Sequence, residues 1–256
     1  LNAQNILIIE SCYYNDSSAT NGGGIFIQNS TTAKIYQTKF KNNKAGGTGG
    51  GASLSDVKYV KLINITFISN EAGKSGAGIE LHKCMNISII NSKFVSNHRS
   101  VISSTLSVGG GICVRKSSHL TVENSIFYRN MVTGNGGGIY SQNVDRALYN
   151  NNQYLLNSAR SGGGVASILS GVTETLNSTF VSNSARKEGG AIFSEKCILF
   201  HMCTCKVYRN SAEEFSGGIN VQLGRKATIE NTIIVNNKAV HGGGITSLGI
   251  NFIMID

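Results

Sequence analysis

An all-β fold, a parallel solenoid, is predicted for this chain by three observations. One unit, seen as Asn177-Ser-Thr-Phe180-Val-Ser-Asn183 followed by Gly189-Gly190-Ala191-Ile192, recurs throughout the 256 residues. Its step is nearly constant. The Phe180 position is filled by Tyr13, Phe40, Phe67, Phe94, Phe127, Tyr154, Phe180, Val207 and Ile234, at spacings of 27, 27, 27, 33, 27, 26, 27 and 27 residues. Between these marks the apolar residues come in pairs two apart, the period of a strand, and no helical stripe of useful length appears. A fixed period in this range means stacked repeats, each burying an apolar face that one repeat alone could not bury.

Within each repeat the elements follow in order. A glycine pair or triplet leads into a first aliphatic, as in Gly24-Ile25, Gly78-Ile79, Gly111-Ile112, Gly138-Ile139, Gly164-Val165, Gly218-Ile219 and Gly244-Ile245. Two residues later stand Ile27, Leu54, Leu81, Val114 and Val221, completing a first short strand. A second strand carries Ala33, Val60, Ile87, Leu120, Ala147, Phe200, Ala227 and Ile253, with Ile35, Leu62, Ile89, Val122, Tyr149, Met202, Ile229 and Ile255 two positions on. The third holds the Phe column. Three short strands and three turns per repeat give a parallel β-helix of about nine coils, a rod of roughly 45 Å at about 4.8 Å per coil.

The punctuation between strands has a physical reading. Asn64, Asn91, Asn124, Asn151, Asn177 and Asn231 stand three residues before the Phe column, with Glu10, Gln37 and Thr204 as variants. Asp16, Asn43, Asn70, Asn97, Asn130, Asn157, Asn183, Asn210 and Asn237 stand three after it. Asparagine tolerates left-handed backbone and can bond the next coil's asparagine. Glycine supplies positive φ and close backbone approach at the third corner. The chain has no proline, as expected where almost every amide is needed in a ladder.

The unbroken register makes residues 1–256 a single domain. Because Leu1 begins in mid-coil, it is expected to be a segment of a longer surface protein. Residues 5–9 and 251–255 share one strand phase as bare apolar edges, so further coils or end-to-end stacking into filaments are expected. Residues 98–108 carry the extra length of the one 33-residue step; they should bulge from a corner, and deleting Ser100–Thr105 should restore the regular step. Apolar runs are only a few residues long, too short for a membrane span.

The six cysteines, Cys12, Cys84, Cys113, Cys197, Cys203 and Cys205, are scattered and read best as small buried apolar residues. Cys203-Thr-Cys205 has no companion set that completes a tetrahedron, so neither a metal site nor a cofactor is expected. Catalysis is disfavoured, because glycoside hydrolysis needs two carboxylates at a set distance and lyases need acidic clusters around calcium. The closest acidic groupings, Asp145 beside Arg146, Glu188 beside Lys187, and Glu213-Glu214, share no phase, and His82, His98, His119, His201 and His241 are dispersed.

The net charge of +9 is spread over many phases. It suits anionic glycans rather than nucleic acid, for which there is no recognition helix or stacking platform. Residues directly after the Phe column should point outward if that column points inward. They form a candidate contact stripe: Tyr14, Ile68, Val95, Tyr128, Leu155, Val181, Tyr208 and Val235, interrupted by Lys41. Asn15, Asn29, Asn64, Asn86 and Asn177 begin N-x-S/T sequons and are candidate N-glycosylation sites, although Asn64 and Asn177 occupy the asparagine column where a sugar should fit poorly.

Phe180-Val-Ser-Asn183 with Gly189-Gly-Ala-Ile192 resembles the paired FxxN and GGA(I/L/V) repeats of the polymorphic outer membrane proteins. FxxN is literal at Phe40, Phe67, Phe94, Phe127 and Phe180, while GGGI replaces GGAI in most coils and nothing is similar to an autotransporter barrel. The resemblance covers essentially the whole chain. It implies a right-handed, pectin-lyase-like β-helix at a cell surface, with adhesion as its role. Two function classes stay open. One is a non-enzymatic extracellular structural or adhesive module whose partners are other copies or anionic glycans. The other is a carbohydrate-active enzyme, a polysaccharide lyase or glycoside hydrolase, with its site in a lateral groove.

Overall fold

The structure, a computed structural model, describes residues 4–99 and 107–256. Its strands wind into a solenoid with three faces and parallel pairing throughout. The coil from Ile79 shows the plan. Strand Ile79–His82 builds the first face, Asn86–Ile90 the second and Lys93–Val95 the third, and a two-residue strand, His98–Arg99, lies in the closing loop. In four coils the first two strands run on around the corner as one 12-residue strand, for example Ile25–Tyr36 and Ile139–Asn150.

The registers match the repeat. Ile6 pairs with Ala33, Val60 with Ile87, and Ile229 with Ile255. Phe94 pairs with Phe127 and Ile79 with Ile112, so the core columns cross the long step unbroken. Residues 100–106 of that step, and with them the Ser100–Thr105 deletion, lie outside the described residues.

The lumen is filled by stacked like residues. Tyr13, Phe40, Phe67, Phe94, Phe127, Tyr154 and Phe180 form one file with ring centroids 4.5–5.1 Å apart and interplanar angles of 2–12°. The coil spacing imposes this offset stacking, which contributes beyond simple area burial. The core is not apolar throughout. Ser141, Ser167 and Ser194 replace the Ile27–Leu54–Leu81 column, and Thr173 and Thr175 replace aliphatics of the second face. These groups bond one another: Tyr149 Oη donates to Ser141 Oγ at 3.0 Å, and Ser167 and Thr173 hydroxyls stand 2.8 Å apart.

The two asparagine columns divide the work that the sequence reading gave to both. The column after the phenylalanines is buried from Asn43 to Asn210, and its side chains tie neighbouring coils together. Asn70 Nδ2 donates to Phe40 O at 3.0 Å and to Asn97 Oδ1 at 2.9 Å, while Asn43 N donates to Asn70 Oδ1 at 3.0 Å. The column before them is exposed and supplies left-handed turns, with Asn64 at φ 57°, Asn91 at 52° and Asn124 at 51°. Glu10, Gln37 and Thr204 adopt the same conformation at their turns, so the position demands a backbone shape more than a side chain. The glycine corner shows both anticipated uses. Gly49 has φ +69°, and a Cβ on Gly50 would meet Ala77 O at 2.3 Å.

Candidate functional site

The first face is covered on its outer side as well. Its outward column runs Phe26, Ser53, Glu80, Cys113, Tyr140, Ala166, Phe193 and Asn220. In the middle coils Cys113, Tyr140, Ala166, Ile168 and Phe193 pack into a second small core with Val108. Toward the N-terminal coils this cover opens into a groove of about 360 Å³ lined by Asn21, Gln28, Ser55, Glu80, His82 and Arg115 among others. Glu80 is almost fully buried there, and its Oε1 lies 3.6 Å from Arg115 Nη1. Burial pushes the Glu80 carboxyl above the ordinary carboxylate range, with Arg115, Cys113 and Ser75 opposing. Burial and then Lys83 hold His82 below the usual imidazole value. Arg115 also stands 5.8 Å over the Tyr140 ring, whose hydroxyl burial pushes up to about 12.

The third face is the most regular outer surface. It is a nine-stranded sheet from Cys12–Tyr14 to Ile233–Val235. Its inward column is the aromatic file. The column just after it is Tyr14, Lys41, Ile68, Val95, Tyr128, Leu155, Val181, Tyr208 and Val235, joined rung by rung and half-buried or exposed. Outward on the other side of the file lie Cys12, Lys39, Thr66, Lys93, Ile126, Gln153, Thr179, Lys206 and Ile233 in the same ladder. The left-handed turn that follows adds Asn15, Asn42, Ser69, Ser96, Arg129, Leu156, Ser182, Arg209 and Asn236. These three columns hold Lys39, Lys41, Lys93, Lys206, Arg129 and Arg209 and no acidic residue. Arg129 lies 5.0 Å over the Tyr128 ring and Lys39 Nζ 5.8 Å over that of Tyr14, so at two places a cation sits against an aromatic face of the strip.

All five sequon asparagines are exposed, Asn64 and Asn177 included, because their column is the outer turn and not the buried ladder. Asn177 Nδ2 donates to Asn150 Oδ1 at 3.0 Å, and Asn86 edges a depression of about 490 Å³ that also holds Lys34, Lys61 and His119. Arg146 pairs across the coil with Glu174 at 2.7 Å rather than with adjacent Asp145, and Lys187 pairs with Glu188 at 3.2 Å.

The cysteines are all free, and the buried reading holds for only four of them: Cys12 is exposed and Cys203 half-exposed. Cys84 and Cys205 stand in two different corner columns, beside Ser117 and Ser178 of the adjacent coil, and join the hydrogen bonding of each. Cys84 N donates to Ser117 Oγ at 3.2 Å, and Ser178 N to Cys205 Sγ at 3.4 Å. Cys203 and Cys205 diverge because Thr204 between them is left-handed, at φ 55°. Cys203 instead meets His201 and Glu230 on the outer side of the second face, their ligand atoms all within 4.8 Å of one another. Glu80 with Arg115, and this trio, escaped the sequence reading. The trio left one signal, since Glu230 follows Cys203 by one coil step of 27 residues.

Stacked coils, parallel pairing and a continuous lumen define the class as a parallel β-helix solenoid. The family described as right-handed beta helix region matches residues 23–205, and the chain belongs to that family. No curated protein and no solved structure matches the chain.

Proposed function

We propose that this chain is a non-enzymatic, cell-surface adhesive module that holds acidic polysaccharide along its third face. The observation that carries the reading is the composition of the three outward columns there: six cations, the rings of Tyr14, Tyr128 and Tyr208, and no carboxylate. The strip runs about 40 Å along the rod at the coil spacing. Carboxylate or sulfate groups would pair with Lys and Arg, and the apolar faces of sugar rings would lie on tyrosine. Ile68, Val95, Leu155 and Val181 between them keep the strip dry at its centre. The resemblance of the FxxN repeats to those of polymorphic outer membrane proteins supports adhesion and a surface location.

The test is calorimetric titration with heparin, polygalacturonate and neutral dextran at low salt. Binding to the two acidic polymers, weakening as salt rises, is expected, with none to dextran. Replacing Lys39, Lys93, Arg129 and Lys206 together by Gln should weaken binding at least about tenfold, roughly 1.4 kcal/mol. Unchanged affinity in that variant overturns the reading. Light scattering of the Tyr128, Leu155 and Val181→Ser triple variant asks whether the strip is instead covered by a second copy, in which case wild type self-associates and the variant does not.

A carbohydrate-active enzyme is the second reading, and the Glu80 groove favours it: a buried acid that keeps its proton more readily than usual could act as a general acid. Among the described residues Glu80 is the one carboxylate lining that groove, whereas hydrolysis of the usual kind uses two. Release of reducing or unsaturated ends from an acidic polymer would establish this reading over the first.

A further inference from the structure

We propose that His201, Cys203 and Glu230 form a zinc site on the outer side of the second face. The backbone creates the arrangement. His201 and Cys203 lie two apart on the strand Leu199–Cys203 and therefore project from the same side, and Glu230 is the rung directly opposite Cys203 on the strand Lys226–Glu230. Both strands are fixed from inside by buried Phe200, Met202, Ala227 and Ile229, so the three ligands ride on a rigid platform.

The geometry is close to that of a bound ion. The three ligand atoms lie within 4.8 Å of one another, and His201 Nε2 stands 3.9 Å from Glu230 Oε2. Tetrahedral zinc with bonds of about 2.0–2.3 Å sets its ligands roughly 3.3–3.8 Å apart. Side-chain shifts on the order of 1 Å would therefore close the site. The other ring nitrogen is provided for: His201 Nδ1 faces Glu174 Oε1 at 4.0 Å. Glu174 is in turn gripped through Oε2 by Arg146 Nε at 3.1 Å and Nη2 at 2.7 Å. A carboxylate behind a ligating imidazole fixes its tautomer and orientation, which makes Glu174 a positioning residue.

The donor set chooses the ion. One thiolate, one imidazole and one carboxylate suit a borderline-soft divalent cation and not calcium or magnesium, which take oxygen. Binding breaks the Cys203 S–H bond, forms Zn–S and releases that proton to solvent, with no change in oxidation state. Three protein ligands leave the fourth position for water or an exchangeable group, as in open zinc sites. Among the described residues this is the one trio of His, Cys, Asp or Glu that comes together so closely.

Cobalt(II) titration of the whole chain under reducing, oxygen-free conditions tests the proposal. One equivalent should raise a thiolate-to-cobalt charge-transfer band with tetrahedral visible bands while a weakly buffered solution acidifies, and zinc added afterwards should abolish both bands with no further proton release. Cys203→Ser should lose the charge-transfer band. His201→Ala and Glu230→Gln should weaken binding at least tenfold, and Glu174→Gln by about tenfold or more. Cys12→Ser, an exposed thiol elsewhere, should change nothing, and circular dichroism of each variant shows that the coil persists. Absence of stoichiometric binding in the wild-type chain, or a charge-transfer band that survives Cys203→Ser, overturns the site.

Discussion

Asn130 shows how much one residue carries in this molecule. Its Oδ1 accepts from Asn97 N at 3.1 Å and Asn97 Nδ2 at 3.0 Å, and its Nδ2 donates to Phe94 O at 2.9 Å and Asn157 Oδ1 at 3.0 Å. All of these groups are out of reach of water. Truncation would strand several buried donors and acceptors at about 1–3 kcal/mol each. Asn124, six residues earlier, is exposed and held at φ 51°. Its replacement costs the left-handed strain of an ordinary residue, about 1–2 kcal/mol, and one solvent-exposed hydrogen bond from Asn151 Nδ2, which water can replace. Asn130→Ala should therefore destabilise by about 3 kcal/mol or more in urea unfolding, and Asn124→Ala by less than half as much. Equal losses would mean that the buried ladder carries no more than the turn does. From sequence the two columns look alike, because asparagine recurs in both at the same step. The variants Glu10, Gln37 and Thr204 in the outer one were the clue that its side chain is not required.

The first-face strands are where the sequence says least. The inward column that runs from Ile25 through Ile79, Ile112, Ile139 and Val165 to Ile219 stays aliphatic in every coil, and that constancy makes the strands and their register legible. The outward column changes from Ser53 to Glu80 to Cys113 to Tyr140, and the residue packed over its apolar part, Val108, stands where neighbouring coils have Thr48 and Ser75. Nothing periodic marks it as buried. The cost of that burial falls on Glu80, whose carboxyl is held above its ordinary value chiefly by desolvation. A carboxyl whose folded value lies above its unfolded one contributes stability below the unfolded value and loses it as pH rises through the folded value. Glutamine in its place cannot ionise. The melting temperature of Glu80→Gln relative to wild type should therefore become more favourable as pH rises above the ordinary carboxylate value of about 4.3, as wild type ionises a buried acid. A difference that stays flat, or runs the other way, would show that Arg115 compensates the charge fully. The cluster at Cys203 was hidden for another reason: a pattern of two residues on one strand and a third one coil later is visible only when the solenoid register is applied to polar residues as well.

At the scale of the rod, each coil rests chiefly on its neighbours above and below, with a few longer reaches such as Arg186 Nη2 to Thr133 O two coils back, so stability is largely a sum of coil and interface contributions. Phe127 sits near the middle of the aromatic file, with ring centroids 4.8 Å from Phe94 and 5.0 Å from Tyr154, and it is fully buried. Phe127→Ala removes both stacking contacts and leaves a cavity that the backbone ladders on either side prevent from collapsing, at a cost of about 3–5 kcal/mol. The loss should be local. Hydrogen exchange should quicken first in the strands Lys93–Val95, Ile126–Tyr128 and Gln153–Leu155, which pair in sequence through the altered coil. Strands three or more coils away, such as Lys206–Tyr208 and Ile233–Val235, should keep most of their protection, because none of their contacts has changed. Unfolding in denaturant should then broaden or split as the two halves lose their coupling. A uniform fall in protection from Asn5–Ile9 to Phe252–Ile255 would show the opposite, that buried files running the whole length tie the coils into a single cooperative unit.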